Sequence, residues 1–150
     1  IAFQESFQTI VAQVVEVSLD ASGAPKVHRV VCAADCGTVV NPDGARAQVE
    51  SGVIYGLTAA LFGEITIEDG AVVQENFPDY DAVRLAQTPK IEVHFVESDA
   101  PFGGLGEPGT PCIAPAVANA LFTLTGTRAR TLPLMNHDFK AGPQLASAAD

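Results

Sequence analysis

Between Gly103 and Pro111 the chain reads Gly-Gly-Leu-Gly-Glu-Pro-Gly-Thr-Pro, with four glycines, two prolines and one ionisable group, Glu107. Glycine admits positive φ and close approach of the backbone to a neighbour. Proline fixes φ and removes a donor. No helix or strand interior accommodates this composition, so the fold must hold a shaped loop here. An apolar run follows, and a helix is expected from Pro111 to Thr125, ended by Gly126 as a C-cap residue. Leu105, Pro108, Pro111 and Ile113 surround Glu107 with apolar groups, and partial desolvation would raise its pKa toward a useful range for a general base. The other reading is a carboxylate that offsets the positive end of the helix.

The rest of the chain supplies hairpins and one more helix. Ile10 to Leu19 alternates and is β-branched, which predicts a strand. A turn cluster from Asp20 to Pro25 leads to a second strand, Val27 to Ala34. Asn41 can cap a helix that Pro42 opens, running to about Phe62. Gly63–Ile67 and Ala71–Glu75 read as a hairpin around Asp69-Gly70, and Ile91 to Val96 as a further strand. The expected class is α+β, a mainly antiparallel sheet of hairpins with two helices packed on it. One (sub)domain is expected over 1–150, with 135–150 a loosely ordered tail.

The first helix carries Gly44, Gln48, Gly52 and Gly56 along one face. Interior helical glycines cost about 1 kcal/mol each against alanine, so a close neighbour, backbone or ligand, should compensate. Gln48 is the long polar side chain on that stripe, either facing solvent or contacting a flat group nearby.

With 47% hydrophobic and 17% charged residues, the 150-residue chain can bury a core. A net charge of −10 disfavours nucleic acid and anionic membrane surfaces as partners. No apolar run is long enough for a membrane span. The chain begins Ile1-Ala2-Phe3, as a piece of something longer would. Cys32 and Cys36 have CxxxC spacing; buried thiols are the default, with a disulfide open if the parent is exported. His28, His94 and His137 form no pair with ligand spacing, and no metal ligand is assigned. Asn119 reads as a buried structural amide, and Arg128 with Arg130 as a solvated pair.

Taken together, residues Gly104 to Ala120, Asp35 to Asp43, Gln48 to Leu57 and Ala12 to Val17 resemble the molybdenum-binding large subunits of xanthine dehydrogenase and aldehyde oxidase relatives, within them the isoquinoline 1-oxidoreductase β-subunit group. The resemblance runs from about Phe3 to Leu134 and implies a C-terminal part of such a subunit. It implies that Glu107 is the base activating a molybdenum-bound hydroxyl and that Gln48 hydrogen-bonds a pterin cofactor. Gly104, Leu105 and Gly106 would line that cofactor through backbone donors. It further implies molybdopterin cytosine dinucleotide and an N-heteroaromatic or aldehyde substrate. The remainder of the large subunit and a small iron–sulfur subunit are the implied partners, in a bacterial parent that is periplasmic or cytoplasmic. Gln4 stands where close relatives carry histidine, and Ser51 and Cys112 also depart from the family pattern. The isolated chain would be inactive and bind no molybdenum. Two rivals stand beside this: a structural or assembly module, and an anion-binding module using the helix entrance at Thr110 to Ile113.

Overall fold

The computed structural model describes residues 1–140. The chain opens with β1 (Ala2–Ser6), β2 (Thr9–Leu19) and β3 (Pro25–Asp35), an antiparallel meander. Helix α1 (Pro42–Leu61) follows, then a minimal hairpin of β4 (Ile67–Glu68) and β5 (Ala71–Val72). β6 (Lys90–Phe95) returns to lie parallel to β3, and α2 (Ile113–Thr125) closes the layer. The main sheet has the order β1-β2-β3-β6. It is mixed and mostly antiparallel, with both helices on one face, as an α+β reading requires. The parallel pair exists because α1 intervenes between β3 and β6 as a crossover.

Alternation decides which side of the sheet meets the helices. β2 buries Thr9, Val11, Gln13 and Val15 and turns Ile10, Val14 and Glu16 outward. β3 buries Val27, Val30, Cys32 and Ala34; the period slips at His28, an extra residue where the pairing shifts opposite Glu16 and Val17. The main core joins Val15, Val30, Val53, Leu57, Ile113, Val117, Leu121 and Phe139. A smaller cluster of Val11, Cys32, Ala34, Val49, Val93 and Cys112 lies at the glycine-loop end. All three thiols are free and buried, and burial pushes Cys32 up to about 11, so it stays protonated.

Several elements form as their residues dictate. The Asn41 side chain accepts from the Gly44 N–H at 3.0 Å, and Pro42 takes the first helical position. Gly126 ends α2 at φ 75°. Asp69 and Gly70, at φ 49° and 81°, make the β4–β5 turn, although only two residues pair on each side. α2 begins at Ile113, later than its apolar approach suggests. Of the tail expected from 135, Phe139 is 1% exposed and sits in the core, because it fills space beneath α1 and α2. The remainder of that tail, 141–150, lies outside the described residues. Asn119 is exposed rather than buried, because α2 buries Ile113, Ala116, Val117 and Leu121 and position 119 falls on the opposite face. It still acts structurally, donating to the Ile1 carbonyl at 3.1 Å.

The outward face of the sheet carries an ion network. Arg29 makes two hydrogen bonds to Glu92, at 3.0 and 2.9 Å, and one to Glu16 at 2.9 Å; Lys90 also pairs with Glu92. Hydrogen bonds from Arg29, then from Lys90, hold Glu92 down at about 2, below the ordinary 4.5. Because its folded pKa is depressed, Glu92 stabilises the fold above pH 4.5, and that contribution is lost as pH falls through about 2. Glu92→Gln is therefore expected to lower the unfolding midpoint slightly at neutral pH and to match the parent near pH 2; acid-titrated thermal unfolding checks this.

Candidate functional site

The glycine loop is fastened by its carbonyl groups. Thr9 Oγ1 donates to Gly104 O at 2.7 Å, and Gln48 Nε2 to Gly106 O at 2.6 Å. Gln4 Nε2 donates to Pro108 O at 3.2 Å, and Gln13 Nε2 to Gly109 O at 2.7 Å. The Thr110 N–H closes the turn onto Glu107 O at 2.8 Å. The Gly103 and Gly104 N–H groups are also engaged, by Cys36 O and Phe7 O. Those of Leu105, Gly106 and Glu107 have no hydrogen-bond partner among the described residues. Of the donors expected at Gly104, Leu105 and Gly106, that of Gly104 is spent on Phe7 O.

None of the loop's glycines has positive φ. Their reason is proximity. A Cβ on Gly103 would strike Thr9 Oγ1 and the Gln8 carbonyl; one on Gly109 would lie 3.0 Å from Val49 O. Gly106 is different: a Cβ there would meet nothing within 4 Å. Packing within the chain does not demand glycine at 106.

The glycine stripe of α1 faces this loop. A Cβ on Gly52 would lie 3.2 Å from Thr110 Oγ1, and one on Gly56 would lie 2.5 Å from Thr110 O and 2.6 Å from Ile113 Cγ2. The compensation for these helix glycines is therefore the backbone leading into α2. Gln48, one turn before Gly52, reaches Gly106 across a separation of 58 residues. Gln48, Gly104, Leu105, Gly106 and Glu107 are thus brought to one surface.

Glu107 is exposed and has no ion-pair partner among the described residues. The partial desolvation expected from its neighbours is not supplied by the described residues. Pro108 and Ile113 are buried in the body below the loop and so do not cover the carboxylate. Glu107 lies six residues before Ile113, outside the first turn of α2 in sequence.

Gln13 is a site residue that sequence reasoning passes over. Its side chain is 0% exposed, and its Oε1 has no partner among the described residues. A buried unpaired acceptor costs about 1–3 kcal/mol. The available signal is a polar residue at an inward position of β2, between Val11 and Val15. Among the described residues no group of three or more His, Cys, Asp or Glu side chains is placed to hold a metal ion. No helix of the described chain is long and apolar enough to cross a membrane.

Comparison with known proteins places this arrangement. Residues 3–89 match the family model of the molybdopterin cofactor-binding domain. The isoquinoline 1-oxidoreductase β subunit of Brevundimonas diminuta is 41% identical over 125 residues, covering 83% of this chain and 16% of that protein. A membrane-bound aldehyde dehydrogenase (pyrroloquinoline-quinone) of Gluconacetobacter polyoxogenes is 39% identical over 132 residues, covering 87% of this chain and 17% of that protein. The crystal structure of the aldehyde oxidoreductase of Desulfovibrio desulfuricans superimposes with a TM-score of 0.72 at 27% identity, over 90% of this chain and 16% of that one. The chain therefore spans about a sixth of the length of the relatives it matches. From its matched sequence and its fold, the chain belongs to the molybdopterin cofactor-binding domain family, the molybdenum-binding large subunits of xanthine dehydrogenase and aldehyde oxidase relatives.

Proposed function

We propose that this chain forms one wall of the active site of a molybdenum hydroxylase large subunit, with Glu107 as the general base. The observation that carries the reading is the Gln48–Gly106 hydrogen bond of 2.6 Å, which joins the glycine stripe to the loop directly beside Glu107. The proposed role of Glu107 is to take the proton from the water-derived oxygen that is transferred to substrate. A carboxylate without a competing cation is suited to that task.

The residues present fit a molybdenum–pterin cofactor. Gly106 leaves open space beside the backbone, and the Leu105, Gly106 and Glu107 N–H groups are unspent. Such donors suit an oxygen-rich, anionic group. Gln48 holds Gly106 with Nε2, so its Oε1 is the atom offered to a pterin donor. When bound, the cofactor supplies the two-electron oxidation. The cytosine dinucleotide form is our proposal; one relative is named for a quinone instead, whereas the family description favours the pterin. The proposed partners are the remainder of the large subunit and a small iron–sulfur subunit, with an N-heteroaromatic or aldehyde substrate. The 150-residue chain alone is then inactive, because it spans about a sixth of the length of the relatives it matches.

The test uses the assembled enzyme. Glu107→Gln should retain molybdenum and lose turnover; near-normal turnover would leave only the structural-module role. Gln48→Ala should lower cofactor occupancy on metal and pterin analysis by several-fold, and full occupancy would remove Gln48 from the binding set.

A further inference from the structure

We propose that Gln13 is a positioning residue for the reaction, setting the place of the Glu107 turn from inside the core; the inference rests on Glu107 being the base. Four side chains hold the loop; Thr9 and Gln13 are both 0% exposed, but Thr9 donates to the exposed Gly104, so the Gln13 bond is the one buried at both ends. The Gln4 and Gln48 bonds lie nearer solvent, where water competes for the same carbonyls. The Gln13 bond to Gly109 O spans 96 residues at 2.7 Å and has no such competitor.

Gly109 has no slack to absorb a shift. A Cβ there would sit 3.0 Å from Val49 O, so α1 closes one side while Gln13 holds its carbonyl. Gly109 also lies within the turn that the Thr110 N–H closes onto Glu107 O at 2.8 Å. Displacing Gly109 therefore displaces Glu107. The Gln13 amide cannot be reversed without setting Oε1 against the Gly109 carbonyl, so the orphaned Oε1 is intrinsic to the arrangement. Nε2 also points a weak hydrogen bond at the neutral thiol of Cys32, whose Sγ is 4.0 Å away. For packing alone, leucine or methionine would fill this place, exchanging the unpaired Oε1 for an unpaired Gly109 carbonyl. What glutamine adds is therefore the fixed place of the loop, at little net change in stability.

The experiment compares Gln13→Leu, Gln13→Met and Glu107→Gln in the assembled enzyme. Gln13→Leu should unfold close to the parent temperature, since one buried unpaired acceptor replaces another, and keep its molybdenum and its KM. Its kcat per molybdenum should fall about tenfold to a hundredfold, as a small misplacement of a reacting group does. Amide hydrogen exchange across residues 103–112 should rise in both cofactor-loaded and cofactor-depleted enzyme. Gln13→Met, closer in shape, supplies the same readouts where the leucine variant does not fold. Unchanged exchange, or activity lost only in proportion to molybdenum, overturns the proposal. If Glu107→Gln is inactive while the Gln13 variants turn over normally, the Gln13 role alone falls; if Glu107→Gln is fully active, the base reading falls and Gln13 with it.

Discussion

Glu107→Gln is expected to lower turnover of the assembled enzyme about a hundred- to ten-thousand-fold while leaving its molybdenum content and its melting temperature unchanged. Glutamine keeps the volume and a hydrogen-bonding oxygen but cannot accept the proton. Stability should not move, because the side chain is exposed and makes no ion pair among the described residues. The loop itself should hold, because Glu107 contributes to it through its main-chain carbonyl. Single-turnover kinetics at saturating substrate separates this loss from a binding defect: KM should change little and the chemical step greatly. Loss of metal in parallel with activity would instead mean that Glu107 shapes the loop.

Gly56→Val is expected to have the largest effect on folding. The added Cβ would lie 2.5 Å from Thr110 O and 2.6 Å from Ile113 Cγ2. The first neighbour is backbone and cannot rotate away, so α1 and the entrance to α2 must separate. Replacing a helical glycine recovers under about 1 kcal/mol of propensity. Overpacking of this kind costs typically about 1–3 kcal/mol, and β-branching at this crossing places the variant at the upper end. That is a large part of a stability of about 5–15 kcal/mol. Denaturant unfolding measures it, with Gly106→Ala as the contrast: that Cβ meets nothing within 4 Å, so the unfolding midpoint should stay in place. A Gly56→Val midpoint equal to the parent's would show that the helices can part freely.

What could be read from the chain was what local chemistry controls. Asn41 and Pro42 announce α1, Gly126 ends α2, and the alternation of β2 and β3 fixes their inward faces. β1 escaped because its turn gives no ordinary signal. Phe7 and Gln8 occupy left-handed backbone at φ 53° and 60°, positions usually given to Asn-Gly. Each such residue costs on the order of 1–3 kcal/mol, and a distant bond, Gly104 N–H to Phe7 O, helps hold the turn. The glycine stripe was visible as a pattern, but its neighbour was not, since Thr110 lies far along the chain. Gln13 was hidden for the same reason: its partner is 96 residues away. The exposure of Glu107 differs from expectation because sequence proximity to Pro108 and Ile113 does not mean being covered by them.

Fastening a loop by its carbonyls has an electrical outcome. A peptide unit is a dipole, and here the negative ends at Gly104, Gly106, Pro108 and Gly109 are neutralised by hydroxyl and amide hydrogens from the body. The N–H ends at Leu105, Gly106 and Glu107, which are positive, have no such partner among the described residues. On a protein of net charge −10, these N–H groups are a small patch of partial positive charge beside the Glu107 carboxylate, which no lysine or arginine creates. A field built from fixed dipoles acts over a few ångströms and leaves the long-range repulsion in place. An anionic group would gain little from being drawn in through solution, and much from being held once it is seated.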